Sequence, residues 1–258
     1  MAHFRSLTIF YPMWNEAETI ERAVSAAFEA GDALVAAGEI ASYDVLIVDD
    51  ASTDATGKMA DEMAAADPRI SVVHHEVNRK LGGSIKTGLA NATGEIVLYT
   101  DADLPFDMAE AVKAVRLLRI YEADIVSAYR FDRTGEGARR LAYSYVYNHL
   151  VQAMFQLRLR DMNFAFKLMR RSMLDCVELK SEGSFIDVEL LARAHRLGFS
   201  IVQFGVDYFP RTRGISTLSS NAVIVKIVRE MLQLRSELQS LEPLPASVRQ
   251  PWNTDSGQ

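Results

Sequence analysis

The hydrophobic pattern changes period repeatedly along the first half of the chain. Continuous apolar, β-branched runs at residues 7–11, 43–48, 70–74, 95–100 and 124–128 have the length and composition of buried strands. Between them, residues 16–37, 55–66, 82–91 and 108–121 have helix-forming composition, with Ile20, Val24, Ala27 and Leu34 on one side of the first stretch. A strand that is apolar at successive positions must be covered on both faces. Its alternation with helices therefore predicts an α/β fold, an αβα sandwich around a mostly parallel central sheet. The second half is less regular: a long aromatic-rich helix is expected over 139–157, a strand over 164–170, a helix over 187–197 and a strand over 200–207. A last segment, 221–241, carries Ile224, Ile227, Val228, Met231, Leu234, Leu238 and Leu241 at helical spacing. Residues 243–258, polar with three prolines and no periodicity, are expected to be a frayed or disordered tail.

Polar clusters follow the first four strands. Pro12, Asn15 and Glu16 come after the first, Asp49-Asp50 after the second, Asn78 to Lys86 after the third and Asp101-Ala102-Asp103 after the fourth. Each cluster alone could be turn punctuation. Repeated at four strand ends, they point to one crevice, because open parallel sheets bind ligands beyond the carboxyl ends of their strands.

Composition narrows the class. The chain has 258 residues, of which 49% are hydrophobic, enough for one large core without an interdomain linker or tandem repeat. A formal net charge of −6 argues against a nucleic-acid surface. One cysteine, Cys176, allows no internal disulfide and fits a reducing compartment, so a cytoplasmic location is expected. The N-terminal stretch meets Pro12, Asn15 and Glu16 too soon for a secretory leader, and no uncharged apolar run reaches the roughly 18 residues of a membrane span.

The chemistry is concentrated at Asp101 and Asp103. Two carboxylates on one exposed turn repel each other unless a cation sits between them. Mg²⁺ or Mn²⁺ is the natural occupant, since both prefer oxygen ligands and bridge carboxylates to a substrate's phosphates. The five histidines, His74-His75 included, lack metal-ligand spacing and read as surface or core residues.

Taken together, YPMWNEAETI (11–20), VLIVDDASTDAT (45–56), the stretch from Asn78 to Pro105 and RTRGIST (211–217) resemble glycosyltransferase family 2, whose members have the GT-A fold. The likeness covers about residues 5 to 220 and is greatest to polyprenyl- and dolichyl-phosphate sugar synthases. It implies a catalytic domain over 1–220, followed by an amphipathic helix at 221–242 and the tail. The implied reaction is inverting transfer of a hexose from a nucleoside-diphosphate sugar to a polyprenyl phosphate. A saccharide hydroxyl acceptor, or a non-catalytic subunit that only binds the nucleotide sugar, is the alternative. By the same resemblance Pro12, Asn15 and Glu16 line the nucleoside pocket, Asp50 contacts base or ribose with Asp49 in support, and Asp101 and Asp103 hold the metal and diphosphate. Arg211, with Ser216 nearby, then attends the donor's departing phosphates, and Lys80, Lys86 or Arg213 is expected to supply the cation that Thr217 lacks. The sequence departs from the family pattern at Pro105, where a glutamine often adds a metal ligand, and at Thr217, where a lysine is usual.

A phosphate acceptor already carries its nucleophilic oxygen and needs arginines to place it, for which Arg130, Arg139 and Arg140 are candidates. A hydroxyl acceptor needs a base, and Asp187 or Glu189 is expected to supply it, with Glu189 matching the family position. NFAFK (163–167), preceded by Asp161 and ending in Lys167, stands where a Gly-Phe-Lys turn is usual, and Lys167 could touch phosphate or point to solvent. A lipid acceptor also implies peripheral contact with the inner face of the membrane or a membrane-anchored partner. The 221–241 helix and Tyr143, Tyr145 and Tyr147 are the places to look.

Overall fold

The computed structural model describes residues 3–131, 138–209 and 221–249, with side chains described for 3–131, 147–209 and 227–249. Seven strands form one sheet: β1 (Phe4–Met13), β2 (Ile40–Asp49), β3 (Ile70–His74), β4 (Ile96–Thr100), β5 (Ile125–Arg130), β6 (Phe166–Arg170) and β7 (Ile201–Val206). Their order is β3-β2-β1-β4-β6-β5-β7. All pairings are parallel except those of β6, which runs antiparallel to both β4 and β5. The predicted αβα sandwich with a mostly parallel sheet is therefore observed.

Helices α1 (Ile20–Ala36), α2 (Thr56–Ala66) and α4 (Glu110–Ile120) cover one face, where Ala27, Leu34, Ala60 and Val115 meet Leu7, Ile9, Val45 and Ile47 of the strands. The other face is covered by α3 (Lys80–Asn91), α5 (Ala138–Phe155), α7 (Ile186–Arg196) and α8 (Asn221–Ser240), with the short α6 (Arg171–Leu174) beside them. There Ile85, Phe155, Ile186 and Met231 pack on Phe10, Leu46 and Val97. Successive residues of β1 and β2 thus enter opposite cores, which is why these strands read as unbroken apolar runs.

Two boundaries differ from expectation for local reasons. The first helix begins at Ile20, not residue 16, because Asn15 is left-handed (φ 57°) and residues 16–19 form a turn in which the Glu16 carbonyl accepts both Thr19 and Ile20 amides at 2.9 Å. Strand β1 runs to Met13 through Pro12. Its ladder with β4 ends at Phe10, so the missing proline N–H breaks no pairing on that side.

The apolar stripe of α8 packs inward: Ile227, Met231 and Leu238 are buried in the core that α5 and α7 also line. Among the described residues no helix is long and apolar enough to cross a membrane. Residues 243–249, expected to fray, are instead tied to the turn after α7. Leu244 N–H donates to Leu197 O at 2.9 Å, and Arg249 of the short α9 (Ala246–Arg249) donates to Gly198 O at 2.5 Å.

Candidate active site at the strand tips

Because β1, β2, β3 and β4 are parallel neighbours, their carboxyl ends meet along one edge. At the tip of β1, Asn15 stitches two loops together. Its side-chain carbonyl accepts Thr53 N–H at 2.8 Å and Asp54 N–H at 3.3 Å, and its own N–H donates to Ser52 Oγ at 3.0 Å. Glu16 accepts the Thr19 hydroxyl at 2.7 Å, and its amide donates to Thr56 Oγ1 at 2.8 Å. The Asn15 side-chain carbonyl and the Glu16 carboxylate, expected at a nucleoside, are thus engaged in holding these loops.

The two carboxylates at the tip of β2 are buried, and each is held by a histidine from the tip of β3. Asp49 accepts Ser52 N–H at 3.1 Å through Oδ1 and binds His74 Nδ1 at 2.8 Å through Oδ2; His74 Nε2 lies 3.0 Å from Asp61. Asp49 and Asp61 both raise the His74 pKa above the ordinary histidine value. Asp50 Oδ1 meets His75 Nδ1 and Arg79 N–H, each at 2.7 Å, and His75 Nε2 is 2.8 Å from Thr87 Oγ1. Sequence reasoning left both histidines without a role. The available signal was topological: β2 and β3 are consecutive parallel neighbours, Asp49 registers with His74, and so the pairs Asp49-Asp50 and His74-His75 end side by side.

Helix α3 starts under this edge. Gly82 is required there by close approach, since a Cβ would lie 2.5 Å from Ser181 O and 2.6 Å from Glu182 C, both backbone. Lys86, expected near the donor's phosphates, is ion-paired with Glu182 of the same neighbouring loop.

Beyond β4, the turn bearing Asp101 and Asp103 has a left-handed Leu104 (φ 47°) and is pinned from α1 by Arg22, whose Nη2 donates to Asp103 O at 2.6 Å. Asp101 and Asp103 are half-buried. Behind them Tyr99 is buried, and its phenol pKa is pushed well above the ordinary value by burial first, then by the charges of Asp187, Asp101 and Asp103. This is an anionic tip with hard oxygen donors, which suits a divalent cation. Among the described residues no group of three acidic, histidine or cysteine side chains could hold a metal by itself.

The second half of the chain supplies ion pairs where sequence reasoning looked for reactive groups. Lys167 is fully buried and donates to Phe164 O at 2.9 Å and Asp187 Oδ1 at 2.5 Å, with Nζ 5.6 Å from the Tyr99 ring centroid. It touches neither solvent nor an exposed phosphate site. Burial raises the Asp187 pKa and the Lys167 charge opposes that rise. Glu189, expected as a base, is also buried. Its Oε1 accepts Lys180 N–H at 2.9 Å and Arg193 Nε at 2.8 Å, and its Oε2 accepts Ser181 N–H at 2.7 Å. That carboxylate organises the loop before α7 and has hydrogen-bond partners on both oxygens. Arg130, expected to meet an acceptor phosphate, grips Asp161 in a fork, Nε to Oδ2 at 2.6 Å and Nη2 to Oδ1 at 2.7 Å. The side chains of Arg139 and Arg140, like Arg211 and Ser216, lie outside the described residues.

The chain matches Glycosyl transferase family 2 over residues 8–178. It is 29% identical over 237 residues to Glycosyltransferase AglD of Haloferax volcanii, covering 90% of this chain but only 36% of that protein. It is 29% identical over 249 residues to the Undecaprenyl-phosphate mannosyltransferase of Micrococcus luteus, covering 90% of this chain and 96% of that one. Among solved structures, glucosyl-3-phosphoglycerate synthase from Mycobacterium tuberculosis, in complex with Mn²⁺, UDP-glucose and phosphoglyceric acid, superposes with a TM-score of 0.68 at 20% identity, over 90% of this chain and 80% of that chain. Mannosyltransferase PcManGT from Pyrobaculum calidifontis, with GDP-mannose and Mn²⁺, gives 0.63 at 20% identity, over 93% and 69%. A nucleotide-sugar transferase fold, an aspartate pair at the fourth strand's tip and a family match spanning most of the described sheet converge on one assignment: the chain belongs to glycosyl transferase family 2.

Proposed function

We propose that this chain transfers a hexose from a nucleoside-diphosphate sugar to a polyprenyl-type lipid phosphate, with inversion at the anomeric carbon, and that Asp101 and Asp103 hold Mg²⁺ or Mn²⁺ against the donor's diphosphate. The Micrococcus luteus relative and the Polyprenol monophosphomannose synthase of Mycolicibacterium smegmatis, 28% identical over 193 residues, support the acceptor class. The observation that carries it is the commitment of both candidate bases. Asp187 is bound to Lys167, and Glu189 to Arg193 and two backbone amides. A hydroxyl acceptor must lose a proton to such a group, whereas a phosphate monoester arrives with an anionic oxygen.

In this reaction the acceptor oxygen forms a bond to the sugar's anomeric carbon as the bond to the donor's diphosphate breaks, and the nucleoside diphosphate leaves with the electron pair. A bound divalent ion would neutralise charge growing on that leaving group. The chain's own share is preorganisation. Arg22 fixes the backbone at Asp103, Asn15 clamps the β1 and β2 loops together, and Gly82 lets α3 seat closely against the 181–182 loop. Arg139, Arg140, Arg211, Ser216 and Lys86 remain proposed phosphate-side groups. An acceptor held in a bilayer implies peripheral membrane contact or an anchored partner at the cytoplasmic face.

The test is transfer of labelled sugar from GDP- and UDP-hexoses, with Mn²⁺, into undecaprenyl or dolichyl phosphate, with simple saccharides in parallel. Label in the lipid fraction, lost in Asp103→Ala while the far-UV spectrum is unchanged, is expected. Transfer confined to saccharides, or undiminished in Asp103→Ala, overturns the reading.

A further inference from the structure

Asp50 is held in a way that a turn-forming aspartate does not require. Its side chain is 4% exposed and that of His75 5%. Oδ1 takes two hydrogen bonds at 2.7 Å, from His75 Nδ1 and from Arg79 N–H, while the Asp50 carbonyl accepts Asn78 Nδ2 at 3.2 Å and its amide donates to Met13 O at 2.8 Å. A carboxylate only accepts, so His75 Nδ1 donates to Oδ1, and His75 Nε2 lies 2.8 Å from the Thr87 hydroxyl. Both ring nitrogens are thereby engaged, and the carboxylate is held from β3 and from α3 at once. Oδ2 has no hydrogen bond from the described residues. It stands at the tip of β2, beside β1, on the edge where a parallel sheet takes its ligands.

We infer that Thr87 and His75 form a positioning relay for the donor's nucleoside: they clamp Oδ1 of Asp50 so that Oδ2 is presented as a single, oriented acceptor for one N–H or O–H of the base or ribose. This rests on the nucleotide-sugar reading above. His75 is a positioning residue that acts only through Asp50. Its loss therefore weakens donor binding in ground and transition states alike, raising the donor KM with little change in kcat.

Three variants of the full chain test this. His75→Leu removes the donor to Oδ1. His75→Asn restores an N–H near the place of Nδ1. Thr87→Val removes the hydroxyl that holds His75 Nε2. Each is compared with the parent by steady-state kinetics in Mn²⁺ and by calorimetric titration with the metal-independent probes uridine and guanosine monophosphate. The expected result is a donor KM raised about tenfold in His75→Leu, the scale of one lost hydrogen bond to a charged group. A kcat within about twofold, weaker nucleotide binding in parallel and recovery of most of the affinity in His75→Asn complete the signature. A smaller rise is expected for Thr87→Val, which also carries the test if His75→Leu fails to fold. Unchanged KM in Thr87→Val and His75→Leu, or equal impairment in His75→Asn and His75→Leu, overturns the relay. A parent that binds these nucleotides but turns over no nucleotide sugar overturns the transferase reading instead, and the calorimetric comparison then still decides the relay.

Discussion

Replacing Lys167 by Met probes an ion pair that the fold encloses. The Lys167 side chain is 0% exposed and that of Asp187 3%, so neither charge can return to water when its partner is removed. The Phe164 carbonyl also loses its donor. Breaking a buried pair at one end costs about 3–5 kcal/mol, and Lys167→Met should lose stability in that range. The loss has a ceiling, because Asp187 can take up a proton. Burial already raises its pKa and Lys167 is the only opposing cause, so in the variant the folded pKa rises further. For an acid whose folded pKa lies above its unfolded value, the native state holds the extra proton. Stability therefore falls as pH rises from the unfolded value near ~3.9 towards the folded one, by up to about 1.4 kcal/mol per pH unit. The deficit of Lys167→Met relative to the parent is thus expected to be larger at pH 8 than at pH 5. Urea unfolding followed by circular dichroism at both pH values gives these numbers, and Lys167→Met/Asp187→Leu closes the cycle. With both charges gone, the double variant should return to within about 2 kcal/mol of the parent. Additive losses, or a deficit that does not grow with pH, would refute the account of an enclosed, mutually dependent pair.

Three further outcomes follow from the same geometry. Gly82→Ala forces a Cβ to within 2.5 Å of the Ser181 carbonyl, so it should cost about 1–3 kcal/mol of stability; a thermal midpoint equal to that of the parent would show that α3 can shift away freely. Asn15→Ala strips the Thr53 and Asp54 amides of their acceptor and places alanine at φ 57°, for an expected loss of about 2 kcal/mol, measurable by chemical denaturation. The raised pKa of His74 contributes stability that is complete below the unfolded histidine value near ~6.5 and is lost as pH rises through the folded value. The gap in thermal midpoint between the parent and His74→Gln should therefore be wider at pH 6 than at pH 9, and with a side chain 41% exposed it should stay below about 1 kcal/mol.

What could be read along the chain was the alternation itself. Strand runs such as Tyr43 to Val48 and helix faces such as Ile20, Val24, Ala27 and Leu34 all fall in the elements observed, because burial on a fixed period is a local property of the sequence. The strand-tip clusters were legible for a related reason: Asp49-Asp50 and Asp101-Ala102-Asp103 interrupt apolar runs, and a parallel topology sends those interruptions to one edge. Identity of the tip residues did not reveal how each side chain is used. Glu189 and Arg130 have the charge of reactive groups, but whether a charge faces a crevice or a counter-ion depends on residues far away in sequence, Arg193 and Asp161 among them.

The sequence by itself determined the layered α/β architecture, the placement of polar residues at the strand ends and the aspartate pair suited to a divalent ion, all consequences of hydrophobic period and short-range charge repulsion. Only the tertiary structure decided that β6 runs antiparallel between β4 and β5, that Lys167 is enclosed against Asp187, and that His75 and Thr87 hold Asp50. Those outcomes depend on which strands become neighbours and on desolvation by elements distant along the chain, and neither quantity is written in a local window of residues.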